Sequence, residues 1–147
     1  MPVKWRDREE RLTMSHRCAL LADGHPSMLG ALRRLLQGTF ATTVMVSDEA
    51  SLLDAVVHLE PDLVVVDLSL PVSGDVNVVR TLLARHPSLK VVVLSVHDEQ
   101  AAVLQALGAG AVGFVLKRTA AADLTAAVSA VVHGETYVSP GLDWPPE

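Results

Sequence analysis

Aromatic side chains are scarce: two Trp, two Phe and one Tyr make up 3% of the chain. Any core must therefore be aliphatic. Half of the 147 residues are apolar, enough for a single domain with a full interior. A basic excess is missing as well. Twelve Lys and Arg stand against 17 Asp and Glu, a formal charge of −5. The resulting pI near 5.6 argues against direct nucleic-acid binding, for which a basic stripe is expected. The single cysteine, Cys18, has no partner for an intramolecular disulfide and reads as a small buried hydrophobe. No stretch approaches the roughly 18 apolar residues of a membrane span. The charged start (Lys4, Arg6, Asp7, Arg8, Glu9, Glu10, Arg11) is not followed by the apolar segment of a secretory signal. Together these absences set the expectation of a soluble, cytoplasmic protein with no membrane partner.

What is present is a regular alternation of strand and helix patterns. Strands are expected near 17–23, 40–46, 62–67, 90–95 and 111–116. Most are continuous apolar runs, such as Leu63-Val64-Val65-Val66, as required of parallel strands covered on both faces. Helices fill the gaps. The first opens at Pro26 and closes at Gly38, and the second starts at Ser47 with Asp48 and Glu49 as cap and first turn. The third spans about 74–86, the fourth about 98–107, and the fifth runs from Thr119 to Gly134. In the fifth, Leu124, Ala127, Val128, Val131 and Val132 form a helical stripe that suits a sheet. Five βα units in succession imply a doubly wound α/β sheet in a single three-layer domain. The domain is placed at 17–134, after a flexible extension over 1–16 and before a proline-rich tail or linker stub over 135–147.

Four of the strand runs stop at a polar residue: Asp23, Asp67, Ser95 and Lys117. A carboxylate is costly to bury and useless to a core, so Asp67 reads as projecting from a strand tip into a crevice. Doubly wound sheets bind ligands at the carboxyl ends of their strands, which is where all four polar residues fall. No glycine-rich phosphate loop follows the first strand, where Asp23-Gly24-His25-Pro26 stands, and no nucleophile elbow is present. A flavodoxin-like cofactor binder or small hydrolase is therefore disfavoured. The six histidines (His16, His25, His58, His86, His97, His133) show no metal-ligand spacing and read as surface residues.

These segments, taken in order, resemble the receiver domain of bacterial two-component response regulators, most closely the NarL/FixJ class. The pieces that carry the resemblance are Leu21-Ala22-Asp23-Gly24-His25-Pro26, Pro61 to Pro71 around Asp67, Val93-Leu94-Ser95, Gly108 to Lys117, and Gly134-Glu135-Thr136-Tyr137-Val138-Ser139-Pro140. It implies a flavodoxin-like (βα)5 fold with strand order 2-1-3-4-5. It implies a signalling phosphoacceptor rather than an enzyme, with Asp67 taking a phosphoryl group from a sensor histidine kinase. Ser95 and Lys117 would bind that group, and Ser95 with Phe114 would relay its arrival. Asp23, Asp67 and the backbone carbonyl of Ser69 would hold Mg²⁺. The output, transcription through a domain outside this chain, would follow from a change in the α4-β5-α5 surface, meaning the fourth and fifth helices and the strand between them. That surface also suits a homodimer. No residue from Gln100 to Leu116 is charged, and only Asp123 is charged from Ala120 to Val132.

One position departs from the family. Gly24 stands where a second acidic residue is usual, so the site charge falls from about −2 to about −1 and Mg²⁺ should bind weakly, since carboxylate count tunes such sites. The alternative this raises is an atypical receiver, regulated without phosphorylation by a ligand or protein at the altered pocket.

Overall fold

A computed structural model describes residues 16–74 and 77–142. The expected extension over 1–16 lies outside that range except for His16, as does the end of the tail, 143–147.

The strands are β1 (His16–Ala22), β2 (Phe40–Val46), β3 (Leu63–Asp67), β4 (Val91–Ser95), β5 (Gly113–Leu116) and β6 (Tyr137–Val138). The helices are α1 (Pro26–Leu36), α2 (Glu49–Leu59), α3 (Val78–Arg85), α4 (Gln100–Gly108) and α5 (Ala120–Val132). All strand pairs are parallel, in the order β2-β1-β3-β4-β5-β6. The expected order 2-1-3-4-5 thus holds, and a sixth strand extends it. Tyr137 and Val138 pair with Gly113 and Phe114, so part of the segment read as a tail belongs to the sheet.

Two aliphatic layers sandwich the sheet. On one side α1 and α5 deliver Leu29, Leu32, Leu36, Leu124 and Val128 onto Leu21, Leu63, Val65 and Leu94. On the other, α2, α3 and α4 deliver Leu52, Val79, Leu82 and Val103 onto Leu20, Val64, Val66 and Val93. Successive residues of β3 alternate between the layers, as the strand pleat requires. Every residue of β3 and β4 is buried, which explains why these strands read as unbroken apolar runs.

Helix boundaries differ from expectation where local chemistry decides them. The cap of α2 is Asp48, not Ser47: its Oδ1 accepts from the Ser51 N–H at 2.8 Å. The α3 cap is Asn77, whose Oδ1 accepts from the Arg80 N–H at 3.0 Å, so this helix begins later than the expected residue 74. Gly110 follows α4 at φ 110°, where a Cβ would lie 2.5 Å from Leu83 Cδ1. Only glycine allows both that conformation and that approach. Cys18 is half-buried rather than buried, and its N–H donates to Asp62 Oδ2 at 2.9 Å.

Candidate phosphoacceptor site

Three strands end at one rim, and each ends in a side-chain oxygen turned back onto its own chain. Asp23, just past β1, accepts through Oδ1 from the His25 N–H at 2.9 Å. Asp67, the last residue of β3, accepts through Oδ1 from the Ser69 N–H at 2.9 Å. Ser95, the last residue of β4, accepts through Oγ from the His97 N–H at 2.9 Å. All three are turns in which a side chain captures the N–H two residues on. This fixes the polar tip of each strand without help from solvent.

Lys117 joins the first two. It directly follows β5, and its Nζ lies 2.9 Å from both Asp67 Oδ2 and Asp23 Oδ2. The contact with Asp67 is a directed hydrogen bond. The contact with Asp23 is close enough for an ion pair, but Asp23 Oδ2 has no well-directed donor. Asp23 is fully buried, Asp67 is 3% exposed, and the Lys117 side chain is 8% exposed. Burial pushes the Asp67 carboxyl up, but hydrogen bonds from Lys117 and from the N–H and hydroxyl of Ser69 outweigh it and hold the group below its ordinary value. Burial likewise pulls the Lys117 ammonium down, and the carboxylates of Asp23 and Asp67 more than reverse this, leaving it raised. The arrangement is an ionised carboxylate with an adjacent fixed cation, able to accept an electrophilic group and to balance the negative charge it brings.

The other residues singled out from sequence fall as follows. Ser69 contributes more than a carbonyl, because its hydroxyl also donates to Asp67 Oδ1 at 2.8 Å. Ser95 reaches the same rim, since Asp67 pairs with Leu94, and its hydroxyl both accepts from His97 N and donates to His97 O at 3.2 Å. Phe114 is fully buried between β4 and β6, within the layer shared with α3 and α4. Gly24 needs no glycine: its φ is ordinary, and a Cβ there would meet nothing within 4 Å. His97 is beside Ser95, and its exposed ring lies 3.7 Å from Glu99.

Two features were not anticipated. The His25 ring places Nδ1 2.9 Å from Asp23 Oδ1, so the residue read as a surface histidine borders the site. Asp123, the sole charge of α5, is buried rather than solvated. Its Oδ2 accepts from Ser139 Oγ at 2.7 Å and Thr119 Oγ1 at 2.6 Å, while Ser139 Oγ accepts from the Leu116 N–H at 3.0 Å. An acid at the i+4 position from a threonine hints at the Thr119 contact. Nothing in the sequence announces the Ser139 contact.

The sequence profile of the response regulator receiver domain matches residues 19–129. The chain belongs to that family. Among curated proteins it is 33% identical over 126 residues to the response regulator GacA of Pseudomonas viridiflava, covering 84% of this chain and 58% of that protein. It is 31% identical over 123 residues to the transcriptional regulatory protein DegU of Brevibacillus brevis, covering 82% of this chain and 52% of DegU. The chain thus spans between about half and three fifths of the length of these relatives. Among solved structures, a LuxR-family two-component response regulator from Aurantimonas is 28% identical, with a TM-score of 0.77, 85% of this chain and 91% of that one covered. The isolated receiver domain of RcsB from Salmonella enterica, at 24% identity and a TM-score of 0.75, shares the fold. These relatives agree with the NarL/FixJ class expected from the sequence, and with a flavodoxin-like receiver acting in two-component signalling. Among the described residues no helix is long and apolar enough to cross a membrane.

Proposed function

We propose that this receiver takes a phosphoryl group on Asp67 from a histidine kinase and transmits the event through its α4-β5-α5 face. The observation that carries the reading is Lys117 Nζ at 2.9 Å from Asp67 Oδ2. An Asp67 oxygen attacks phosphorus, the P–N bond of the phosphohistidine breaks, and the released imidazole takes a proton. The acyl phosphate that forms carries more negative charge than the carboxylate it replaces, and Lys117 is the cation already in place to meet it. Phosphoryl transfer depends on such positioning and charge compensation more than on covalent help.

Mg²⁺ fits the donors present. Asp23, Asp67 and the Ser69 carbonyl offer hard oxygens, and buried Asp23 Oδ2, met only by Lys117 Nζ at 2.9 Å, keeps a lone pair for a cation. When bound, the cation supplies further charge neutralisation to the phosphoryl oxygens. Without an acid at position 24 its affinity is low. Ser95 moves its hydroxyl from His97 to a phosphoryl oxygen. Phe114, buried on β5, then relays the adjustment of the loop after β4 to the α4-β5-α5 face. Beyond that loop α4 carries no charged side chain, and Val96 and Leu104 are exposed, at 63% and 47%, beside the exposed Arg118–Asp98 ion pair, a mixed surface that suits docking of a second copy or an output partner. By analogy with the printed names of its relatives, the output is control of transcription, exerted in the cytoplasm through a domain other than the receiver.

Incubation with acetyl phosphate and Mg²⁺, followed by intact mass measurement, tests the reading. The chain should gain one phosphoryl unit and Asp67→Asn none. No gain at any Mg²⁺ concentration would overturn it in favour of a receiver regulated without phosphate.

A further inference from the structure

We propose that Asp123, on α5, is a positioning residue for Lys117: one carboxylate oxygen ties down both sides of the short turn that carries the ammonium. The proposal rests on the phosphoacceptor reading for its chemistry but not for its geometry. Lys117 opens a single 3₁₀ turn, Lys117–Thr119, between β5 and α5. On the near side of the turn, the Leu116 N–H donates to Ser139 Oγ at 3.0 Å. That hydroxyl donates in turn to Asp123 Oδ2 at 2.7 Å. On the far side, Thr119 Oγ1 donates to the same Oδ2 at 2.6 Å. The turn is therefore closed by an atom that lies outside it, in the first turn of α5.

Three local choices point the same way. Thr119 stands at the N-cap of α5, yet its hydroxyl makes no cap hydrogen bond. A threonine there ordinarily accepts from a first-turn N–H, and losing such a cap costs about 0.5–2 kcal/mol. Here the hydroxyl turns to Asp123 instead. Asp123 itself is 8% exposed, a costly place for a carboxylate unless donors meet it. The third departure is in the sheet. The N–H groups of Tyr137 and Ser139 donate to the carbonyls of Val112 and Phe114 in the regular spacing of a parallel ladder. At the next step the Leu116 N–H leaves that pattern for a side-chain hydroxyl, a group that accepts one hydrogen and passes its own to a carboxylate. The consequence falls on the reacting end. Lys117 Nζ bridges Asp23 and Asp67 at 2.9 Å each, at the tip of a flexible four-carbon stem. Holding the backbone on both sides of that stem removes motion at its base. A misplacement of about 1 Å in a reacting group costs up to about 10²-fold in rate. Releasing one of the two ties leaves part of the positioning intact, so about tenfold is expected.

The rate of Asp67 labelling, measured across acetyl phosphate concentrations in excess Mg²⁺, tests this with a matched pair of variants. Thr119→Val removes the hydroxyl at nearly equal size and unchanged charge, and Thr119→Ser keeps it. Thr119→Val should slow labelling at saturation by about tenfold, with the half-saturating concentration within about twofold of wild type, and Thr119→Ser should restore the rate. Asp123→Asn should slow it at least as much. NMR titration of the Lys117 side-chain signals gives a readout that needs no phosphate. They should titrate above the ordinary lysine value in wild type and in Thr119→Ser, and return toward that value in Thr119→Val. Urea unfolding shows which variants remain folded, and the half-buried position of Thr119 keeps the test open if Asp123→Asn does not fold. With labelling intact, a rate unchanged in folded Thr119→Val, or a loss that Thr119→Ser does not restore, sinks this inference alone. Wild type that takes no label, with a Lys117 titration that still shifts in Thr119→Val, defeats only the phosphoacceptor reading. No label and no shift defeats both.

Discussion

At the tips of β1, β3 and β4 a single local device recurs: a side-chain oxygen captures the N–H two residues further on, at 2.9 Å each time. These turns aim the polar groups before any partner arrives, so little ordering remains to be done when one binds. Lys117 is the residue on which the rest depends, because without it two buried carboxylates face each other unneutralised. Lys117→Met should therefore cost about 2 kcal/mol at neutral pH, toward the low side for buried pairs because the crevice opens to water. The pH dependence has a definite sign at each end. Asp67 is lowered, so its contribution is present above the usual carboxylate value of about 4 and fades as pH falls through its lower folded value. Lys117 is raised, so its contribution is present below about 10.4 and fades as pH rises through its higher folded value. Urea unfolding of wild type and variant at acidic, neutral and alkaline pH should show the gap widest at neutrality. A gap that stays constant across the range would mean the ion pairs contribute nothing.

At the level of elements, β5 is braced from behind. Ser139 follows β6, accepts the Leu116 N–H at the end of β5, and passes its own hydrogen to Asp123 on α5. Leu116 immediately precedes Lys117, so this buried relay holds the strand end that presents the ammonium. Burial, and then the nearby Asp123, push the Tyr137 phenol up. Ser139→Ala leaves a buried N–H and a buried carboxylate short of a partner, at a cost of about 1–3 kcal/mol. Amide exchange at Leu116 should accelerate more than exchange at Val92 in mid-strand β4. Equal acceleration at both would indicate global loosening instead of a local brace. The same network shows where sequence reading stops. Strands buried on both faces betray themselves as valine runs, and the order of the sheet follows from the resemblance those runs support. A two-residue strand such as β6 has no periodicity to display, and it forms only because Val112 O and Phe114 O accept from Tyr137 N and Ser139 N across the sheet. The burial of Asp123 was not legible for a related reason: it depends on two hydroxyls, one of them sixteen residues away. The change from Ser47 to Asp48 at the α2 cap was settled by a single N–H.

For the molecule as a whole, the site was legible because chain topology carries distant residues to one rim, and sequence shows which residues stand at strand ends. Side-chain direction was not legible, which is why His25 was read as surface and Ser69 as a carbonyl alone. A cation held at that rim, as proposed, would link stability to metal. A ligand that binds only the folded state adds about 2.7 kcal/mol at a hundred times its dissociation constant. In a domain of this size that corresponds to a rise in Tm of roughly 5–10 °C. Gly24→Asp exploits the linkage, since the position has an ordinary φ and open space for the new side chain. In EDTA the variant gathers a third carboxylate around one ammonium and should melt below wild type, because like charges brought together in a crevice repel. With excess Mg²⁺ the added oxygen ligand should strengthen binding, and the variant's metal-induced rise in Tm should exceed that of wild type. Thermal melts of both proteins in EDTA and across a Mg²⁺ series read both effects at once. If the two proteins rise equally with Mg²⁺, position 24 does not face the cation, and the proposal that its missing carboxylate weakens binding fails.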